Sequence, residues 1–114
     1  MGEIIINESV YKIHPVYDMY AANENGTIAQ INYKVPVKGH RHRTDYLWWR
    51  VRKSNQFDQQ FYYIHRFVYE CFNGLIPDGM FIGHINGIKD DNRLCNLKLI
   101  TKQKNQQNRE KTQK

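Results

Sequence analysis

The stretch from Phe81 to Asn105 leaves this chain few ways to fold. It follows directly on Met80, so that Met80-Phe81-Ile82 makes a short apolar run, and it sets His84 where a strand gives way to a loop. After a polar segment with neither helical nor strand period come Asn92 and Asn96, the β-rich Leu97-Lys98-Leu99-Ile100-Thr101, and a polar helix candidate carrying Asn105. Strand, loop, strand and helix in that order bring His84 and Asn105 together although they lie far apart in the chain. Taken singly, His84 reads as an ordinary strand-end histidine, and Asn92 and Asn96 as turn residues whose amides bond nearby backbone. The ordered set carries the argument.

Upstream, the signals are mostly β. Val10-Tyr11-Lys12-Ile13 reads as a strand broken by Pro15, Tyr17 to Ala22 resumes the extended pattern, and Thr27-Ile28-Ala29-Gln30-Ile31 alternates with period two. Asn25-Gly26 between them is a hairpin signal, because both residues tolerate positive φ. Pro36 to Arg43 is a basic loop, readable as a solvated connection or as a finger that contacts phosphate; His40 and His42 alternate in it without flanking ligand partners. Asp45 to Lys53 reads as a strand with Tyr46, Trp48, Arg50 and Arg52 on one face and Leu47, Trp49 and Val51 facing a core, and Gln60 to Ile64 pairs with it antiparallel. From His65 the period turns helical, and Asn73-Gly74 marks the stop. Phe67, Val68 and Phe72 are expected to bury against Ile82, Leu97 and Leu99, which makes this helix scaffold and His65 structural.

The balance of 17 Lys plus Arg against 11 Asp plus Glu gives a net charge of +6. Such an excess draws a protein towards polyanions through counterion release. Cys71 and Cys95 form no Cys-x-x-Cys pair, so no structural zinc is expected, and each is expected reduced in an apolar setting. No run of about eighteen apolar residues is present to span a membrane. The opening Met1 to Ile6 lacks the basic region and long apolar run of a secretory signal, so a cytoplasmic location is expected.

His84-Ile85-Asn86-Gly87, Asp91-Asn92-Arg93-Leu94-Cys95-Asn96-Leu97, Leu99-Ile100-Thr101 and Asn105 together resemble the HNH endonucleases of phage and intron homing type. The resemblance is close across this core and reaches loosely back to about Val10, where Tyr17, Tyr20, Asn25-Gly26 and Ile28 are similar to the small module that precedes such cores. It implies an α+β protein, an N-terminal antiparallel β-module over residues 1–60 feeding a ββα-metal (His-Me finger) core over residues 61–114 with a basic polar tail. The implied activity is metal-dependent nicking of double-stranded DNA with one divalent cation, Mg²⁺ or Mn²⁺, since hard cations favour oxygen ligands. By the same resemblance His84 is the general base, a role suited to the one side chain that titrates near neutrality. Asn96 orients the histidine and its loop, and Asn105 is a metal ligand. Contacts to DNA are expected from Lys38, Arg41, Arg43, Arg50, Arg52, Arg66, Arg93, Lys102 and Lys104. One position departs from the family pattern: the Asp that usually precedes the histidine and binds the metal is here Gly83. Asn86, Asp90 or Asp91 then stand as substitutes, or the chain is a degenerate HNH scaffold that binds DNA or a protein partner without cutting.

Overall fold

The computed structural model describes residues 2–52 and 59–101. It begins as an antiparallel meander of β1 (Glu3–Ile6), β2 (Ser9–Ile13), β3 (Tyr20–Ala22), β4 (Ile28–Gln30) and β5 (Val35–Pro36), adjacent in that order. The β1–β2 connection passes through Asn7 and Glu8 at φ 50° and 68°, a turn whose twist matches that of the flanking strands. β1 extends the meander beyond the strands read from the sequence. Its Ile4-Ile5-Ile6 run shows no alternation as a string, yet Ile4 and Ile6 pack with Tyr11, Ala21 and Ala29 while Ile5 points outward. The Asn25-Gly26 turn forms between β3 and β4, with Gly26 at φ 86°. The Asn23 side-chain oxygen accepts the Asn25 and Thr27 N–H groups, both at 3.0 Å.

A three-stranded sheet follows, ordered β6 (His40–Arg41), β7 (Leu47–Val51), β8 (Gln60–Tyr63). The alternation read on β7 is present: Trp49 and Val51 are buried and Arg50 is exposed. β8 runs straight into α1 (Ile64–Asn73), which stops at Gly74, φ 86°, whose N–H donates to the Glu70 carbonyl at 2.9 Å. Last comes a hairpin of β9 (Met80–His84) and β10 (Leu97–Thr101), joined by a long loop and a 3-10 turn at Leu94–Asn96. The mixed, largely antiparallel architecture is the α+β class expected. The helix expected to carry Asn105, together with Lys102 and Lys104, lies outside the described residues.

All three sheets meet on α1. Phe67, Val68 and Cys71 are almost wholly buried against Tyr20, Ala22 and Ile28, Trp49 and Val51, and Ile82 and Leu97. Each large apolar side chain so buried contributes about 1.5–3 kcal/mol. Burial raises the Cys71 thiol pKa, as expected of a thiol in an apolar setting. Cys95 differs: it is exposed, because the 3-10 turn directs its neighbour Asn96 inward and the thiol out. Among the described residues no helix is long and apolar enough to cross a membrane.

One polar cluster penetrates this core. Glu70, 3% exposed, accepts hydrogen bonds from His14 Nε2 at 2.9 Å, from the Tyr62 hydroxyl and from the Ile76 N–H at 3.3 Å. His14 Nδ1 accepts the Val16 and Tyr17 N–H groups at 3.0 and 3.1 Å, so the ring hydrogen sits on Nε2 and points at the carboxylate. Burial alone would raise the Glu70 pKa, but the hydrogen bonds from His14, Tyr62 and Ile76 outweigh it and hold the carboxyl below its ordinary value of 4.5. Glu70→Ala should therefore cost about 1–3 kcal/mol for each buried donor left unpaired, read by urea unfolding. Because the folded value lies below the unfolded one, the carboxylate's stabilisation is complete above pH 4.5 and is lost as pH falls through the folded value. Glu70→Gln should lack that acid-side decline.

Candidate active site

His84 ends β9 opposite Leu97, the first residue of β10, and this register sets it at the mouth of the finger loop. Its Nε2 lies 2.8 Å from Asn92 Oδ1. An amide oxygen only accepts, so Nε2 carries the hydrogen and the Nδ1 lone pair is left open, without a hydrogen-bond partner among the described residues. Asn96, 5% exposed, folds the loop. Its Oδ1 accepts the Asn86 N–H at 3.0 Å, its Nδ2 donates to Asn86 Oδ1 and to the Asp91 carbonyl, both at 2.9 Å, and its own carbonyl accepts the Ile85 N–H at 2.8 Å. The two tasks assigned to Asn96 from the sequence are thus divided: Asn96 holds the loop, and Asn92 touches the imidazole. Asn92 stood inside the motif string with no role of its own, since sequence spacing does not distinguish two amides four positions apart.

The far side of His84 is aromatic. The rings of His65 and Tyr46 lie 4.8 and 5.8 Å from it between centroids, and Tyr46 stacks on His65 at 5.1 Å. Burial, with His84 and Arg66 nearby, pushes the His65 imidazole down to about 3, which keeps it neutral beside the His84 ring. Lys89 caps the stack, its Nζ 5.0 Å from the centre of the Tyr46 ring and 3.1 Å from the Thr44 carbonyl. A cleft of about 450 Å³ opens alongside, lined by Thr44, Tyr46, Tyr63, His65, Arg66, Phe81 and Ile82.

The residues weighed as metal ligands are placed differently. Gly83 has no side chain to offer, although the nearest atom a Cβ there would meet is the Ile100 Cδ1 methyl at 3.2 Å, a flexible tip. Asp90 is held by Arg41 at 2.9 Å. Asp91 accepts two hydrogen bonds from Arg93 at 2.8 Å and one from Asn86 at 2.9 Å, and these partners, Arg93 first, hold its carboxyl well below the usual range. Asn86 Oδ1 already accepts from Ile88 N–H and Asn96 Nδ2. Among the described residues no three His, Cys, Asp or Glu side chains come together to hold a metal ion. This donor set does not fit a cation by itself, and Asn105 lies outside the described residues.

The basic residues fall into three groups. Arg41 and Arg93 are spent in the ion pairs with Asp90 and Asp91. Lys38 and Arg50 line a groove of about 370 Å³ together with His40 and Trp48; the Arg50 guanidinium lies 5.8 Å from the centre of the Trp48 ring, which stacks on exposed Phe61 at 4.8 Å. Arg43 is exposed, Arg52 is half-buried near Tyr20, and Arg66 borders the cleft beside His84. Removing the Asn96 amide tests the loop: Asn96→Ala should destabilise the fold by about 1–3 kcal/mol and speed hydrogen exchange at the Asn86 amide, while the Glu70 cluster stays intact.

Comparison with known proteins agrees with this geometry. Residues 62–107 match the sequence family described as HNH endonuclease. Over 46 residues, 40% of this chain, the sequence is 44% identical to the SPbeta prophage-derived protein YosQ of Bacillus subtilis (strain 168), which is named as an HNH homing endonuclease. A solved structure of DNA binding and cleavage by the HNH homing endonuclease I-HmuI shares the fold, with a TM-score of 0.72 at 21% identity over 98% of this chain. The chain spans 27% of YosQ and 59% of I-HmuI. Residues 62–107 thus carry the sequence pattern of the HNH endonucleases, and nearly the whole chain shares a fold with I-HmuI.

Proposed function

We propose that the chain is an HNH-type nuclease that hydrolyses a phosphodiester bond of double-stranded DNA, nicking one strand. The observation that supports this most is the state of His84: with its Nε2–H committed to Asn92, the open Nδ1 is free to take a proton from water. The water oxygen then bonds to phosphorus as the bond to the leaving sugar oxygen breaks. Arg66, at the edge of the adjoining cleft, is placed to meet charge on the phosphate. A divalent cation, Mg²⁺ or Mn²⁺, neutralises such charge when bound in enzymes of this chemistry. Lys38, Arg43 and Arg50, with the Trp48–Phe61 pair, supply a basic and aromatic face for the duplex.

A second reading, DNA binding without cleavage, is favoured by Gly83 together with the engagement of Asp90 and Asp91 in ion pairs. Plasmid nicking in Mg²⁺ and in Mn²⁺ separates the two. A nuclease should nick as it stands and lose at least about 100-fold in rate on His84→Ala with duplex affinity little changed. If the folded chain binds duplex without nicking in either ion, and Gly83→Asp confers metal-dependent nicking, the binding reading holds. Under both readings Arg50→Ala should weaken duplex binding and flatten its salt dependence by about one charge.

A further inference from the structure

We propose that the Asn25-Gly26 turn of the N-terminal sheet is a buttress for the active site, seating the backbone of Asn92, and that Asn92 is the positioning residue that fixes His84. This deepens the nuclease reading and rests on it for the kinetic part of the test alone.

Three observations carry it. A Cβ built on Gly26 would stand 2.5 Å from the Asn92 carbonyl oxygen and 2.6 Å from its carbon, with Arg93 N at 3.1 Å. These are backbone atoms, which do not swing aside as a side-chain tip does, and Gly26 also sits at φ 86°, so the turn accepts only glycine here. The turn is bonded within itself and tied to the finger just ahead of Gly26. Asn23, 7% exposed, locks it from within, and the Glu24 carbonyl accepts the Leu94 N–H at 2.8 Å. Asn92 is 6% exposed in a loop where Ile85 and Ile88 are more than half exposed. The packing of the turn is what makes a loop residue rigid at the point where it meets the imidazole at 2.8 Å.

The sheet expected to act as a DNA-contacting module therefore also sets the orientation of the general base. An apolar residue at 92 leaves the His84 Nε2–H without its acceptor, and a displaced turn moves the acceptor away.

The test reads the His84 ring N–H directly, by NMR of the ¹⁵N-labelled full chain, in the wild type and in Asn92→Leu, Asn92→Asp and Gly26→Ala. Wild type and Asn92→Asp, which keeps an acceptor oxygen, should show an exchange-protected Nε2–H. Asn92→Leu and Gly26→Ala should lose about tenfold or more of that protection, the amount one hydrogen bond of ordinary strength confers. In nicking assays Asn92→Leu should lower kcat by a similar factor with KM little changed, and Asn92→Asp should restore it. Unchanged protection in Asn92→Leu, or in folded Gly26→Ala, overturns the proposal. Should Gly26→Ala fail to fold, the Asn92 pair decides by itself. If the wild type does not nick, the nuclease reading fails while the imidazole signal still decides this one.

Discussion

The buried carboxylate of Glu70 ties together elements that have little else in common. It draws a hydrogen bond from the segment after β2, another from β8 and a third from the chain that leaves α1, and so fixes the helix against two sheets at once. An apolar core of Phe67, Val68 and Trp49 supplies most of the favourable energy but tolerates sliding. A charge with directed partners does not, because any shift of the helix leaves the carboxylate short of a donor. The helix so fixed offers Ile64, Phe67 and Val68 to the same core as Ile82 and Leu97, the inward residues of the β9–β10 hairpin, and through them the position of His84.

The finger loop is built on a different plan. From Ile85 to Asn96 it buries little apolar surface and is organised by side-chain amides bonding backbone and one another, with Asn96 at the centre. Its carboxylates pair with arginines, and the pair between Asp90 and Arg41 reaches across to β6, as does the Lys89 contact to Thr44 just beyond. The loop is thus pinned at its base by Asn96, at its tip by charges on the three-stranded sheet, and along one flank by the Asn25-Gly26 turn.

Much of this was legible in the sequence because the signals were local. The period-two strand carrying Trp49 and Val51, the helical spacing from Phe67 to Cys71 and the Asn25-Gly26 turn each depend on neighbours in the chain, and the structure has them where the pattern puts them. The ordered motif gave the class of site for a similar reason, its residues being spread over one hairpin. What stayed hidden is non-local. His14, Tyr62 and Glu70 share no pattern, and the meeting of Gly26 with Asn92 joins positions far apart in the chain. β1 was hidden differently, since three isoleucines in a row look alike whichever way they face. Cys95 was misplaced because a hydrophobic flank says nothing about which side of a 3-10 turn a residue takes.

The surroundings of His84 are amides, aromatic rings and paired carboxylates. Amides hold one side of the ring, phenol and a buried neutral imidazole the other, and the carboxylates of the loop stay ionised through their arginine partners. The neighbouring imidazole and the paired carboxylates thus keep a fixed charge around this ring.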